Sequence, residues 1–169
     1  MSAQWPLCTL PSLPIQDAAQ CVKYVEVRCR ERGLRMTPLR SDVLRILATS
    51  PRPLKAYDLL DKIRASKARS APATAYRALN FLLQQGFIHR IESLSAFVVC
   101  PYPGKRDHVA PFLICDACQQ ATELNDERTE YALRQLAEAA GFTLLSQTLE
   151  VQGRCAACSS SRVLPPGSD

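Results

Sequence analysis

The sequence predicts an α+β chain in two parts: a basic helical half that ends in a β-hairpin, and a smaller acidic half that mixes strands with one helix. Three observations predict it. The spacing of apolar residues changes from helical to alternating just after Gly86. Pro101-Tyr102-Pro103-Gly104 interrupts any regular element at the point where the charge balance reverses. Residues 1–100 carry 15 Lys and Arg against 7 Asp and Glu, net +8, whereas residues 101–169 carry 6 against 9, net −3. That asymmetry gives the first half the electrostatic character of a polyanion-binding surface.

The elements follow in order. The first fifteen residues hold three prolines and no periodicity, so residues 1–16 read as a leader. From Asp17 to about Arg32, Ala18, Cys21, Val22, Val25 and Cys29 recur at helical spacing, with Gly33 as the stop. Thr37-Pro38 starts a second helix, with Thr37 capping and Pro38 in the first turn, and Leu39, Val43, Leu44 and Leu47 form its stripe. A third helix runs from about Ala56 to Ala65 and buries Leu59, Leu60 and Ile63. A fourth follows Ser70-Ala71-Pro72, turns Ala75, Leu79, Leu82 and Leu83 inward, and closes at Gly86. Phe87–Ile91 and Ala96–Val99 then read as strands around a polar turn. Helices followed by a two-stranded wing outline a winged helix-turn-helix domain over residues 17–100.

Residues 101–108 form the expected hinge, and residues 109–158 a second domain of α/β character. Within it, Pro111 to Glu123 is strand-like around a Cys-bearing turn, Asn125 to Ala140 is an amphipathic helix, and Phe142 to Val151 alternates as a strand with Leu145, Leu149 and Val151 apolar. Residues 159–169 are a polar tail. An apolar content of 47% supplies packed cores and argues against wholesale disorder. No apolar run reaches the roughly 18 residues of a membrane span, and the N-terminus has no secretory pattern, so a cytoplasmic protein is expected.

Eight cysteines in such a chain point to metal or redox chemistry before disulfides, and two histidines exclude a His-rich metal buffer. Cys115-Asp116-Ala117-Cys118 and Cys155-Ala156-Ala157-Cys158 are two C-x₂-C pairs separated by 36 residues. Each turn brings two sulfurs to one side of the backbone, and together they supply a tetrahedral Cys₄ shell suited to a structural zinc. The separation accommodates a helix that packs back on the sheet. A redox dithiol is the minority alternative. Cys8, Cys21 and Cys29 have no assigned functional role; Cys21 and Cys29 lie on the inward stripe of the first helix, where core packing is the default reading.

The remaining ligand types are His89 at the end of the first wing strand, Cys100 after the second, His108 in the hinge, and Glu123 beyond the first Cys pair. Taken singly, each has an ordinary reading as a packed thiol or a surface side chain. Taken together they make a chemically sensible His₂-Cys-Glu zinc shell that would join the two halves.

At these residues the chain resembles the zinc-responsive branch of the ferric uptake regulator family, over roughly residues 17–158. The resemblance is carried by Arg35-Met36-Thr37-Pro38-Leu39-Arg40, Ala56-Tyr57-Asp58-Leu59-Leu60, Thr74-Ala75-Tyr76-Arg77-Ala78-Leu79, Gln85-Gly86-Phe87-Ile88-His89 and the two Cys pairs. It implies a structural zinc at Cys115, Cys118, Cys155 and Cys158, and an exchangeable regulatory zinc at His89, Cys100, His108 and Glu123. One departure is informative. Iron and peroxide sensors of the family carry a His-rich stretch before the first Cys pair, where this chain reads Arg106-Asp107-His108-Val109-Ala110-Pro111. That loss, with a thiolate in the sensor shell, favours zinc over iron or manganese.

In a winged helix the helix near residues 72–85 enters the major groove. Thr74, Tyr76 and Arg77 are its candidate readers, with Arg77 able to grip guanine O6/N7 by two hydrogen bonds. Tyr57 matches a family position that also reaches DNA. Arg35, Arg40, Lys55, Lys67 and Arg69 are candidates for phosphate contacts, each with an ordinary solvated charge as the alternative. Asp61 and Arg64 are spaced for an intrahelical pair. The expectation is a homodimer, built through a C-terminal dimerisation domain, that binds palindromic double-stranded operator DNA as a zinc-dependent repressor of zinc-uptake genes, with two zinc ions per protomer, no catalysis, no membrane and no small-molecule substrate. The alternatives are a small zinc hydrolase using the His/Cys/His site with Glu123 as base, or a redox- or iron-responsive regulator of the same family.

Overall fold

The computed structural model describes residues 17–66, 72–103, 110–124, 127–143 and 148–160. The expected leader, His108, Lys67, Arg69 and most of the tail lie outside the described residues.

Four helices open the chain: α1 (Ala18–Glu31), α2 (Pro38–Ala48), α3 (Ala56–Ser66) and α4 (Pro72–Gln84). Their ends follow local chemistry. The Asp17 carboxylate accepts from the Gln20 amide at 2.7 Å, and Thr37 Oγ1 accepts from the Arg40 amide ahead of Pro38. At the end of α4, Gly86 adopts φ +70°, the Phe87 amide reaches the Leu82 carbonyl at 2.9 Å and the Gly86 amide the Leu83 carbonyl at 3.0 Å. This paired closure needs a left-handed residue, which glycine supplies without steric cost, and it fixes where the following strand begins. The inward stripes of the four helices meet in one core that includes Val25, Val43, Leu44, Leu59, Ile63, Leu79, Leu82 and Phe87. Cys21 and Cys29 are buried in it, as packing predicts, whereas Leu39 and Leu83 are only half-buried.

The wing comprises β2 (Ile88–Ile91) and β3 (Ala96–Val99), antiparallel with His89 opposite Val98. Sequence reasoning missed β1 (Leu54–Lys55), a two-residue strand that pairs with β3 and ties the α2–α3 connection to the hairpin, giving the order β1-β3-β2.

Beyond the wing, β4 (Ala110–Cys115), β5 (Ala121–Glu123) and β6 (Thr148–Gly153) form a second sheet of order β5-β4-β6. The β4–β5 pair is antiparallel and the β4–β6 pair parallel. Helix α5 (Glu127–Ala139) intervenes, and a short helix α6 (Ala156–Ser160) stands where a tail was expected to begin at Ser159. The expected strand from Phe142 also differs. The Phe142 amide donates to the Ala137 carbonyl at 2.8 Å, so Phe142 closes α5, and the strand starts at Thr148.

The two sheets meet through a small apolar contact. Ile91, Leu94 and Val98 of the wing pack against Phe112, Ile114 and Ala121 of the second sheet. Among the described residues nothing buries the opposite face of that sheet: Leu113 and Val151 are exposed, as are Tyr131 and Leu136 on α5 and Phe142 beyond it. No helix among the described residues is long and apolar enough to cross a membrane.

Candidate metal centres and nucleic-acid face

Parallel pairing explains how two Cys pairs 36 residues apart come together. Register places Cys115, the last residue of β4, opposite Gly153, the last of β6, so both strands deliver their C-x₂-C turns to one end of the sheet. The first turn is closed by the Gln119 amide on the Cys115 carbonyl at 2.8 Å, with Gln119 at φ +59°. It is held to the second strand by the Asp116 amide on the Gly153 carbonyl at 2.9 Å. Cys155 follows β6, and α6 carries Cys158 back to the cluster.

The four sulfurs lie within 4.8 Å of one another, and the Cys118 and Cys155 sulfurs are 3.9 Å apart. A tetrahedral ion with bonds of about 2.3 Å spaces its sulfurs about 3.8 Å apart, so the donor set fits zinc in type and in dimension. Backbone donors tune the thiols unequally. The Cys155 amide, 3.4 Å from the Cys115 sulfur, heads the interactions that bring the Cys115 thiol down to about 6. The Cys158 thiol is pushed up to about 12, chiefly by its hydrogen bond with Cys155, and burial raises Cys118. Zinc binds the thiolate form, so filling the cluster would release protons.

The second cluster stands where the wing meets the second sheet. His89 comes from β2, Cys100 from the residue after β3, and Glu123 from the end of β5; their ligand atoms also lie within 4.8 Å of one another. The Cys100 amide donates to the Phe87 carbonyl at 3.0 Å, which extends the hairpin by one step and brings Cys100 level with the base of the wing. His89 Nε2 is 3.1 Å from Glu123 Oε2, and the imidazole edge rests on Phe112 with ring centroids 5.5 Å apart. The Glu123 side chain is 2% exposed and Cys100 is fully buried.

Burial, then the nearby Glu123 charge, drives the Cys100 thiol up, against a Tyr102 amide that donates to its sulfur at 3.3 Å. A buried carboxylate beside an imidazole and a thiol is costly unless a cation is shared among them. Nitrogen, sulfur and oxygen donors at this spacing suit zinc, with room in the shell for a fourth ligand. Three of the four expected sensor residues are thus brought together; the fourth, His108, lies outside the described residues.

In the helical half, Tyr57 is 69% and Tyr76 46% exposed, and Thr74 and Arg77 are exposed in the first turns of α4. Lys55 and Arg35 are also exposed. The Arg40 guanidinium lies over the Phe81 ring, 3.4 Å from the centroid, and donates to the Arg35 carbonyl. It orders the α1–α2 connection. Asp61 and Arg64 form the expected intrahelical pair at 3.5 Å.

Sequence reasoning did not single out Glu150 of β6. Its carboxylate accepts from the Glu92 amide at 2.7 Å and from the Ser93 amide at 3.1 Å, both in the wing turn. Nothing local in the sequence marks a partner 58 positions away.

With these centres in place, comparison with known proteins is informative. The model of the ferric uptake regulator family matches residues 31–152. The zinc uptake regulation protein of Escherichia coli (strain K12) is 40% identical over 139 residues, covering 82% of this chain and 81% of that protein. A zinc uptake regulator complexed with zinc and DNA is similar in structure, with a TM-score of 0.83 at 35% identity, over 89% of this chain and 100% of that one. Holo XcZur gives a TM-score of 0.78 at 49% identity, over 83% and 97% of the two chains; apo XcZur gives 0.51 at 48%, over 86% and 99%. By the extent of the family match and the identity to its curated relative, the chain belongs to the ferric uptake regulator family.

Proposed function

We propose that this protein is a zinc-responsive transcriptional repressor that binds operator DNA as a homodimer when zinc occupies the cluster at the wing base, and so turns down zinc-uptake genes. The observation that carries this reading is the convergence of His89, Cys100 and Glu123. Two come from the DNA-binding half and one from the second sheet, and they meet in a buried cluster. Zinc bound there supplies strong bonds between parts otherwise joined by a modest apolar contact.

The protein's own residues do the rest. His89 and Cys100 fix the wing, Glu123 fixes the sheet, and His108 completes the shell from the hinge at residues 101–108. The Cys₄ cluster is structural, which makes two zinc ions per protomer. The uncovered face with Leu113, Val151, Tyr131 and Leu136 is the dimer surface, consistent with its exposure in a single chain. Thr74, Tyr76 and Arg77 read a palindromic site with Tyr57, while Arg35, Lys55, Lys67 and Arg69 contact phosphates. The better match to the holo than to the apo form of one relative, at nearly equal identity, supports a DNA-competent arrangement. The domains are residues 17–100 and 109–158, the site of action is the cytoplasm, and the relatives give no support to a hydrolase.

The test is DNA binding against buffered free zinc, using the promoter of a zinc importer from the same genome, with iron and manganese as controls. Tight binding that appears only with zinc is the expected result. Binding that ignores zinc or follows iron overturns the reading. In the same assay Arg77→Ala should weaken specific binding by about 1–3 kcal/mol and relax preference at one base pair, leaving nonspecific binding nearly intact. A uniform loss across sequences would instead make Arg77 a phosphate contact.

A further inference from the structure

Phe112 in β4 pairs with Glu123 on one side and with Glu150 on the other, so these three side chains form a single row on one face of the second sheet. The wing lies across that row. Glu123 meets His89, Phe112 packs with Ile91 and the His89 ring, and Glu150 takes the amides of Glu92 and Ser93. The wing is therefore held at three points along β2 and its turn, with a metal cluster at one end and a carboxylate clamp at the other.

We infer that Glu150 is a positioning residue for zinc-dependent DNA binding: a metal-free latch that holds the wing turn on the second sheet and is coupled to the sensor cluster through the shared row. The inference rests on the proposed zinc-responsive function. Three features of the contact support it. A carboxylate accepting two backbone amides is a charge-assisted, two-point contact, which fixes orientation as well as distance. Burial works against the Glu150 charge, yet hydrogen bonds from the Ser93 hydroxyl and from the Glu92 and Ser93 amides outweigh it and hold the carboxyl below its ordinary range. The one like charge in the turn, Glu92, is drawn to Arg90 at 3.1 Å.

Because a rigid strand joins the clamp to His89, opening one end loosens the other. Linkage then requires that losing the latch weaken zinc at the sensor cluster even when no DNA is present.

The experiment compares the full-length wild type with Glu150→Ala and Glu150→Gln, both zinc-loaded and free of DNA. Sensor-site zinc affinity is read by chelator competition, and amide exchange at Glu92 and Ser93 by NMR. In Glu150→Ala both amides should lose protection, and zinc affinity at the sensor site should fall about tenfold. The Cys₄ zinc content and the melting transition of the helical half should not change. Glu150→Gln keeps one acceptor and should fall between, which also covers the case of poor folding by the alanine variant. Unchanged amide protection, or faster exchange with unchanged zinc affinity, overturns the latch. Neither readout involves an operator, so a wild type that binds DNA without regard to zinc would defeat the proposed function while leaving the latch measurement intact.

Discussion

Replacing Cys100 with serine should abolish zinc-dependent operator binding, lowering affinity by about a hundredfold at free zinc levels that saturate the wild type. The sulfur is fully buried at the wing base, within reach of His89 and Glu123. A serine hydroxyl in its place is nearly isosteric, but it is a hard, protonated oxygen in a position chosen for a soft thiolate. The neighbouring Glu123 carboxylate would remain buried with its cation weakly held, so the wing and sheet would lose their strongest tie. Anisotropy titrations of labelled operator against buffered zinc measure this directly. The fold should persist, because the helical core of α1–α4 does not depend on this thiol for packing volume. A variant with wild-type zinc response would remove Cys100 from the sensor shell.

Cys118→Ser should act through stability. Structural zinc in small Cys-rich domains supplies about 10–16 kcal/mol of apparent binding free energy. A whole domain has a net stability of about 5–15 kcal/mol. Among the described residues the second sheet has little else to rely on: α5 and α6 contain no buried residue, and the buried apolar side chains of the sheet are Pro111, Phe112, Ile114 and Cys115. Losing one thiolate should therefore unfold this half while the helical half keeps its own melting transition. Calorimetry of the zinc-loaded variant should show one transition lost, and gel filtration a monomer. Excess chelator on the wild type should reproduce both. Retention of wild-type melting and zinc content would show that the Cys₄ cluster is not the clamp proposed.

The helical half was largely legible in the sequence because its determinants are local. Asp17, Thr37-Pro38, Gly33 and Gly86 mark helix ends, and the stripes between them predict the core residues. Elements defined by remote partners were not legible. Strand β1 is two residues whose only reason to be extended is the ladder to Phe97 and Ala96. The start of β6 was misplaced because Phe142 is apolar and follows a glycine, yet serves the helix before it.

The alternation in β6 was visible, but its direction was not. Its apolar Val151 faces away from the wing and its acidic Glu150 faces toward it. Such an inversion makes sense only if the outer face is itself buried against something else. The Cys₄ cluster was evident from spacing; the second cluster became specific only through family resemblance, since no spacing rule joins His89 to Glu123.

The parallel pairing of β4 with β6 has a kinetic side. An antiparallel hairpin closes within microseconds through a short turn, but this ladder forms only after the whole segment between Cys115 and Gly153 has been gathered in. The entropy of closing that loop must be met before any ladder hydrogen bond repays it. A metal ion captured by one Cys pair and then by the other would close the same loop in advance, so zinc at the proposed Cys₄ site would act as a folding nucleus for this half of the chain. The helical half, built from local contacts, is expected to fold before that event. With the two proposed zinc sites, zinc supply would enter the life of the protein twice on separate clocks: once when each molecule matures, and afterwards each time it is read.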